Sequence, residues 1–221
     1  MPDWVKPVAE YMLKTGLKET ARMAATAVVA SAIIGVVMGT LLTIRFLPLR
    51  SVIRLYIEVW RGLPIIVTIF LIYFALPGLV DIRFDAFTAA AIGLTLWGSA
   101  QVAEATRGAV QSIPREQHEA ASALGFGWVG RHRYVILPQA LRRLLPPMVS
   151  LLVNVIQNTT VAATIGVAEV LETGNRSVER LQLTPPGDPH AFAIYGGVMA
   201  VFFVISFPLT RLSAFLERRL I

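Results

Sequence analysis

The chain has 221 residues, a formal net charge of +6, 55% hydrophobic residues and only 15% charged ones, with a mean hydropathy of +0.64. A soluble domain carries about a quarter charged residues, so an ordinary globular core is excluded. The absence of cysteine removes disulfides and thiolate metal sites. The basic residues that set a pI near 10.2 fall between apolar runs and form no nucleic-acid face.

In chain order, residues 4–18 come first. Trp4, Val8 and Met12 recur at helical spacing among Lys6, Glu10, Lys14 and Lys18, which predicts an interfacial amphipathic helix along a bilayer. Five uncharged runs follow, at 23–44, 63–80, 86–103, 144–168 and 191–210, each of 18 residues or more. Runs of that length cross a hydrocarbon core of about 30 Å. The expected fold is a single all-α membrane domain over residues 1–221 with five transmembrane helices. In the first run Ser31, Gly35 and Gly39 are spaced by four, a small-residue stripe that predicts close helix–helix packing.

Charge sets the expected orientation. Arg45, Arg50, Arg54 and Arg61 separate the first two runs. Arg107, Arg115, Arg131, Arg133, Arg142 and Arg143 separate the third and fourth, and Arg211, Arg218 and Arg219 follow the fifth. The other connections mix signs: Asp81, Arg83 and Asp85, then Glu169, Glu172, Arg176, Glu179, Arg180 and Asp188. The positive-inside rule then puts the N-terminus out, the C-terminus in, and residues 112–138 in the cytoplasm. Residues 181–189, "LQLTPPGDP", read as a turn-rich outer connector.

The segment 112–138 interrupts the greasy chain with two short helices. The first runs over 116–124 and is broken by Gly125 and Gly127, and the second runs over 128–136 and ends before Pro138. Ala120, Ala121, Ala123, Leu124 and Phe126 form a small apolar surface flanked by Glu119 and Arg131, suited to docking in the groove of a partner protein. A re-entrant or interfacial piece is the other reading. Here the residues resemble a known pattern. Glu119-Ala120-Ala121, three residues, Gly125, nine residues, Val135, one residue, Leu137-Pro138 is similar to E-A-A-x3-G-x9-I-x-L-P. That is the EAA loop of permease subunits of binding-protein-dependent type I ABC importers, and valine for isoleucine is the one departure. "RGLPIIVTIFLIYFALP", "GSAQVAEATRGAVQSIPREQ", "LPQALRRLLPPMVSLL" and "TIGVAEVL" look like blocks of the polar amino acid uptake branch. The resemblance covers about residues 20–217. It implies a five-span subunit of the bacterial cytoplasmic (inner) membrane whose loop residues Glu119, Ala120, Ala121, Leu124, Gly125, Val135, Leu137 and Pro138 seat in an ATP-binding subunit. It also implies a second permease subunit, identical or related, an extracytoplasmic solute-binding protein and a polar amino acid as substrate.

The residues are consistent with a partner motor. No G-x4-G-K-[ST] stretch is present, so ATP and Mg are expected on the partner chain, with no cofactor, metal site or catalytic residue on this one. A self-sufficient secondary carrier or channel is the alternative. The fourth run carries Asn154, Gln157 and Asn158 on one helical face, with Thr159 and Thr160 following and Gln101 on the third run. Polar side chains within hydrocarbon pair or line a cavity, so these are the candidate substrate pathway. In that branch some relatives that carry cationic amino acids have an acidic residue where Asn158 stands, so an amide there suits neutral or acidic ones. Glu104 with Arg107, and Glu58 with Arg61, are expected as gating or structural ion pairs.

Overall fold

A computed structural model describes residues 2–44, 46–184 and 187–220. Arg45, Pro185 and Pro186, counted above in the connections, lie outside the described residues. Among the described residues there is no strand. The helices are α1 (Val5–Leu41), α2 (Leu47–Gly62), α3 (Ile65–Val80), α4 (Ala86–Gln111), α5 (Arg115–Ala123), α6 (Trp128–Ile165), α7 (Val170–Leu183) and α8 (Ala191–Leu220).

Four of these, α1, α4, α6 and α8, are long and apolar enough to cross a membrane, and the pair α2–α3 makes a fifth if counted as one span. That pair is bent by 105°. The expected span at 63–80 is therefore one arm of a broken element. Pro64 sits extended at the break with ψ 136°. Proline also forces its predecessor, Leu63, away from helical geometry. The N-terminal segment differs in a second way. Residues 4–18 are not a separate element, because α1 runs unbroken for 37 residues through a π-helical turn at Met12–Gly16.

The chain divides into two compact units. The first comprises Met1–Val29, Leu63–Thr95 and Leu152–Pro208. Its core joins Met12 of α1 to Val170 of α7 and to Ile194 and Val198 of α8. Gly16 makes that approach possible: a Cβ there would lie 2.9 Å from the Val170 Cα. Thr20 Oγ1 accepts the Val170 N–H at 3.3 Å, so α1 supplies an acceptor for one of the N–H donors left without an intrahelical partner at the start of α7.

The second unit comprises Ala30–Gly62, Leu96–Leu151 and Leu209–Ile221. Here the small-residue stripe of α1 packs on α4 as its spacing predicts. Added Cβ atoms at Gly35 and Gly39 would lie 2.6 Å from Val102 Cγ1 and 2.6 Å from Thr106 Cβ, and the Cβ of Ser31 faces Gly98. The neighbouring cluster is Leu42, Ile53, Ile57 and Ala103, and the Tyr56 hydroxyl pairs with Ser99 Oγ at 2.7 Å. Because a side chain at Gly39 must displace backbone as well as side chains, Gly39→Val is expected to destabilise by about 1–3 kcal/mol or more. A lower melting temperature in detergent than that of Ala30→Val checks it.

Large apolar side chains face outward where lipid would lie. On α8, Phe192, Met199, Phe203 and Val204 are open, Phe192 to 96%, and on α1 Val29, Ile33 and Val37 are open at one-turn spacing. Contiguous apolar surface of this kind is rare on soluble monomers.

Candidate functional site

The segment from the end of α4 through the first turns of α6, residues 112–132, forms a tip whose short helix is fixed at both ends. Pro114 stands in extended geometry before α5. At the other end Phe126 N–H bonds to Ala121 O (3.1 Å) and Gly125 N–H to Ser122 O (3.0 Å). This crossed pair is the Schellman arrangement, which needs a left-handed residue. Gly125 supplies it with φ +82°. Leu124 stands at the turn, 77% exposed, and Ala120, Ala123, Phe126, Val129 and Glu119 are exposed beside it. Arg115 Nε donates to Glu119 Oε1 at 2.8 Å, and Arg131 Nη1 to Ser122 Oγ at 3.0 Å.

One expected member of the displayed surface is turned away. Ala121 is buried at 2% exposure. The short helix has to rest on something, and at helical spacing the residue next to Ala120 faces the protein's own side. Val135 and Leu137 are half-buried, with Val135 packed on Val110, Ile113, Ile136 and Ala140. Of the motif, Glu119, Ala120, Leu124, Gly125 and Pro138 are exposed.

Four polar ties hold the tip to the rest of its unit. Arg143 Nη1 donates to the Ser112 carbonyl (2.6 Å) and hydroxyl (2.9 Å), and Gln139 Nε2 donates to Gln117 Oε1 at 3.2 Å. The fourth was not visible in the sequence. His132 stacks on Trp128 at 4.2 Å, its Nδ1 lies 2.9 Å from the Trp128 carbonyl, and its Nε2 lies 3.0 Å from Thr43 Oγ1, just past α1. The i, i+4 spacing of Trp128 and His132 was the available signal, whereas Thr43 is 89 residues away. His118 lies beside this knot, where burial and then the Arg131 charge push its imidazole below the usual histidine range.

In the same unit Arg107 chelates Glu104 as expected and also donates to Gln111 Oε1 at 2.6 Å. The pairing expected between Glu58 and Arg61 is not formed. Arg61 Nε reaches α4 instead and donates to Gln101 Oε1 at 3.1 Å. Sequence spacing permits the intrahelical pair, but a neutral acceptor on the facing helix takes the guanidinium. Gln101 is thereby committed to Arg61.

In the first unit Asn154 and Gln157 are exposed on one face of α6, and Asn158 is half-buried, its amide donating to the Asn154 carbonyl at 2.8 Å. Thr159 departs from expectation. It is fully buried and its hydroxyl bonds back to Ile156 O at 2.7 Å, because it lies one turn beyond the buried Val155 and Ile156, on the packed face of the helix rather than the Asn154 face. Beyond the left-handed Gly166, Glu169 caps α7, accepting Leu171 N–H (2.9 Å) and Glu172 N–H (2.8 Å). Arg176 then bridges Glu172 and the Gly166 carbonyl at 2.8 and 3.0 Å.

Glu169 has 0% exposure. Burial pushes its carboxyl up to about 7, against the pull of the two backbone N–H groups and with a push from Glu172. A raised folded-state value means the folded protein holds this proton where the unfolded chain has lost it. Stability from this group is full below about 4.5 and is lost as pH rises through about 7, about 3 kcal/mol at most. In detergent, the melting temperature should fall between pH 5 and pH 8, and Glu169→Gln should flatten that slope. An equal slope in the variant would refute the assignment.

Among the described residues there is no group of histidine and acidic side chains able to hold a metal ion. Residues 23–221 match the family described as "Binding-protein-dependent transport system inner membrane component". The chain is 36% identical to the glutamine transport system permease protein of Escherichia coli, over 99% of this chain and 97% of that one. It is similar in structure to a crystal structure of an amino acid ABC transporter with histidines, with TM-score 0.84 and 28% identity over 99% of both chains. The inward-facing MetNI methionine ABC transporter shares the fold, with TM-score 0.80 at 19% identity over the whole of both chains.

Proposed function

The chain belongs to the family of binding-protein-dependent transport system inner membrane components, and from that premise we propose that it works as the moving pathway of an amino-acid importer driven by a separate ATPase. It is an amino-acid ABC transporter permease subunit, a multi-pass protein of the bacterial inner membrane. We infer that the tip at Glu119–Gly125 is in the cytoplasm and seats in a groove of an ATP-binding subunit. The observation that carries this reading is the tip itself: an exposed apolar knob on a short helix, fixed by a Schellman turn and held by polar ties to Thr43 and to α6. A solvated linker needs no such rigidity.

Two copies, or this chain and a relative, would enclose the pathway, and an extracytoplasmic binding protein would deliver the amino acid. Closure of the ATPases on ATP shifts the tips and favours the outward state, and hydrolysis returns the inward one. This is alternating access by population shift. Asn154, Gln157 and Asn158 provide uncharged donors and acceptors along one face, suited to the neutral amino acid that the Escherichia coli relative's name specifies. ATP and Mg act on the partner chain.

Reconstitution in proteoliposomes with the ATPase and binding protein tests the reading. Uptake of glutamine or another polar amino acid should require ATP and all components. Uptake by this chain alone, driven by an ion gradient, would instead establish the secondary carrier.

A further inference from the structure

In the first unit the far end of α6 changes its winding. Thr159–Ile165 is a 3-10 helix, in which residues three apart lie directly above one another. Burial follows that period: Thr159, Ala162 and Ile165 are all buried. The positions stacked over Asn158 are then Val161 and Thr164, and Thr164 is exposed. Had the α-helix continued, Thr164 would stand roughly 120° away from Asn158 around the axis. The tighter winding carries the polar face of α6 onward for two more turns, a rise of about 12 Å. This surface is unlike one that meets lipid. Among the described residues no large apolar side chain over 152–166 is exposed, whereas Leu13, Phe70 and Phe192 of the same unit are open. Polar side chains on a spanning helix pair with one another or line a cavity.

We propose that the 3-10 segment is the continuation of the substrate pathway and that Thr164 is a second contact for the passing amino acid, beyond Asn158. The Thr164 hydroxyl donates to the Val161 carbonyl at 2.7 Å, so its proton is spent and its oxygen is left to accept. That oxygen complements an N–H group of the solute, its α-ammonium or a side-chain carboxamide, and offers a carboxylate nothing. A rise of about 12 Å from Asn158 makes Thr164 a separate station on the same face. The segment is held where it is from α7: Arg176 Nη2 donates at 3.0 Å to the carbonyl of Gly166, the residue directly after it. This inference rests on the amino-acid permease reading and extends the Asn154–Asn158 face.

The chain has no cysteine, so single introduced thiols report which positions meet water. Thr164→Cys and, as the buried control, Ala162→Cys are placed in the permease–ATPase complex, reconstituted in proteoliposomes with the binding protein, and treated with a charged methanethiosulfonate. Mass spectrometry of this chain reads the labelling. ATP-driven uptake from an equimolar mixture of the twenty L-amino acids reads its effect. Thr164→Cys should be labelled and lose at least tenfold of its uptake on labelling, while Ala162→Cys stays unlabelled. Thr164→Val should lower uptake at least fivefold with the ATPase still bound, and Thr164→Ser should keep most of it. Four results overturn the contact: no labelling of Thr164→Cys in a complex that imports, labelling without effect on uptake, equal labelling of Ala162→Cys, or Thr164→Val importing as well as Thr164→Ser. A wild-type complex with no ATP-driven uptake would instead sink the functional reading on which the contact rests.

Discussion

Gly125→Asp leaves the permease folded in the membrane and reduces ATP-driven uptake to background. The two halves of that expectation have separate causes. An L-residue in left-handed geometry costs about 1–2 kcal/mol, and a Cβ at Gly125 would meet nothing within 4 Å, so the fold tolerates the change. At the tip, however, the carboxylate adds charge and the turn that presents Leu124 is loosened. Seating a leucine that is 77% exposed in a partner's groove contributes about 1.5–3 kcal/mol, or roughly ten- to a hundredfold in affinity. Leu124→Ala should therefore weaken ATPase association by that factor without strain. Pull-down of the ATPase together with uptake checks both variants. Normal uptake by a permease whose ATPase has dissociated would refute a coupling role for the tip.

His132→Phe keeps the ATPase bound but lowers amino acid imported per ATP at least tenfold. The phenyl ring preserves the stack on Trp128 and removes two hydrogen bonds, each worth about 1 kcal/mol. The carbonyl of Trp128 can only accept, which assigns a proton to Nδ1. The single Thr43 hydroxyl proton is then shared between His132 Nε2 at 3.0 Å and the Thr40 carbonyl at 2.7 Å. The imidazole is thus the direct link from the tip to the residues just after α1, and a displaced tip carries Thr43 with it. Thr43→Val should give a milder form of the same defect. Simultaneous measurement of ATP hydrolysis and uptake separates this from simple misassembly, which would lower both together.

Much of the fold was legible because hydrophobic length and small-residue spacing are local signals. The runs that became α1, α4, α6 and α8 were visible as uncharged stretches, and Ser31, Gly35 and Gly39 announced a contact that α4 supplies. The bent α2–α3 pair was harder to see. Arg50, Arg54, Glu58 and Arg61 made α2 read as a connection, although Ile53 and Ile57 of the same helix are core residues. The tip's outline was clear from Gly125, but burial of Ala121 depends on what the helix rests upon. Thr159 was misplaced because it adjoins the Asn154–Asn158 face in sequence but lies one turn beyond Val155 and Ile156, which are core residues. The exchange of Glu58 for Gln101 as Arg61's partner, and the knot of His132 with Thr43, join distant segments and become readable only in three dimensions.

The central claim is that this chain is pushed by another. Gentle affinity purification from its own host membrane, with mass spectrometry of everything retained, tests it most directly. The expected result is a stoichiometric ATP-binding subunit held by the wild type and lost from Gly125→Asp. A pure, stable chain that binds amino acids with no ATP-binding subunit in either preparation would contradict it.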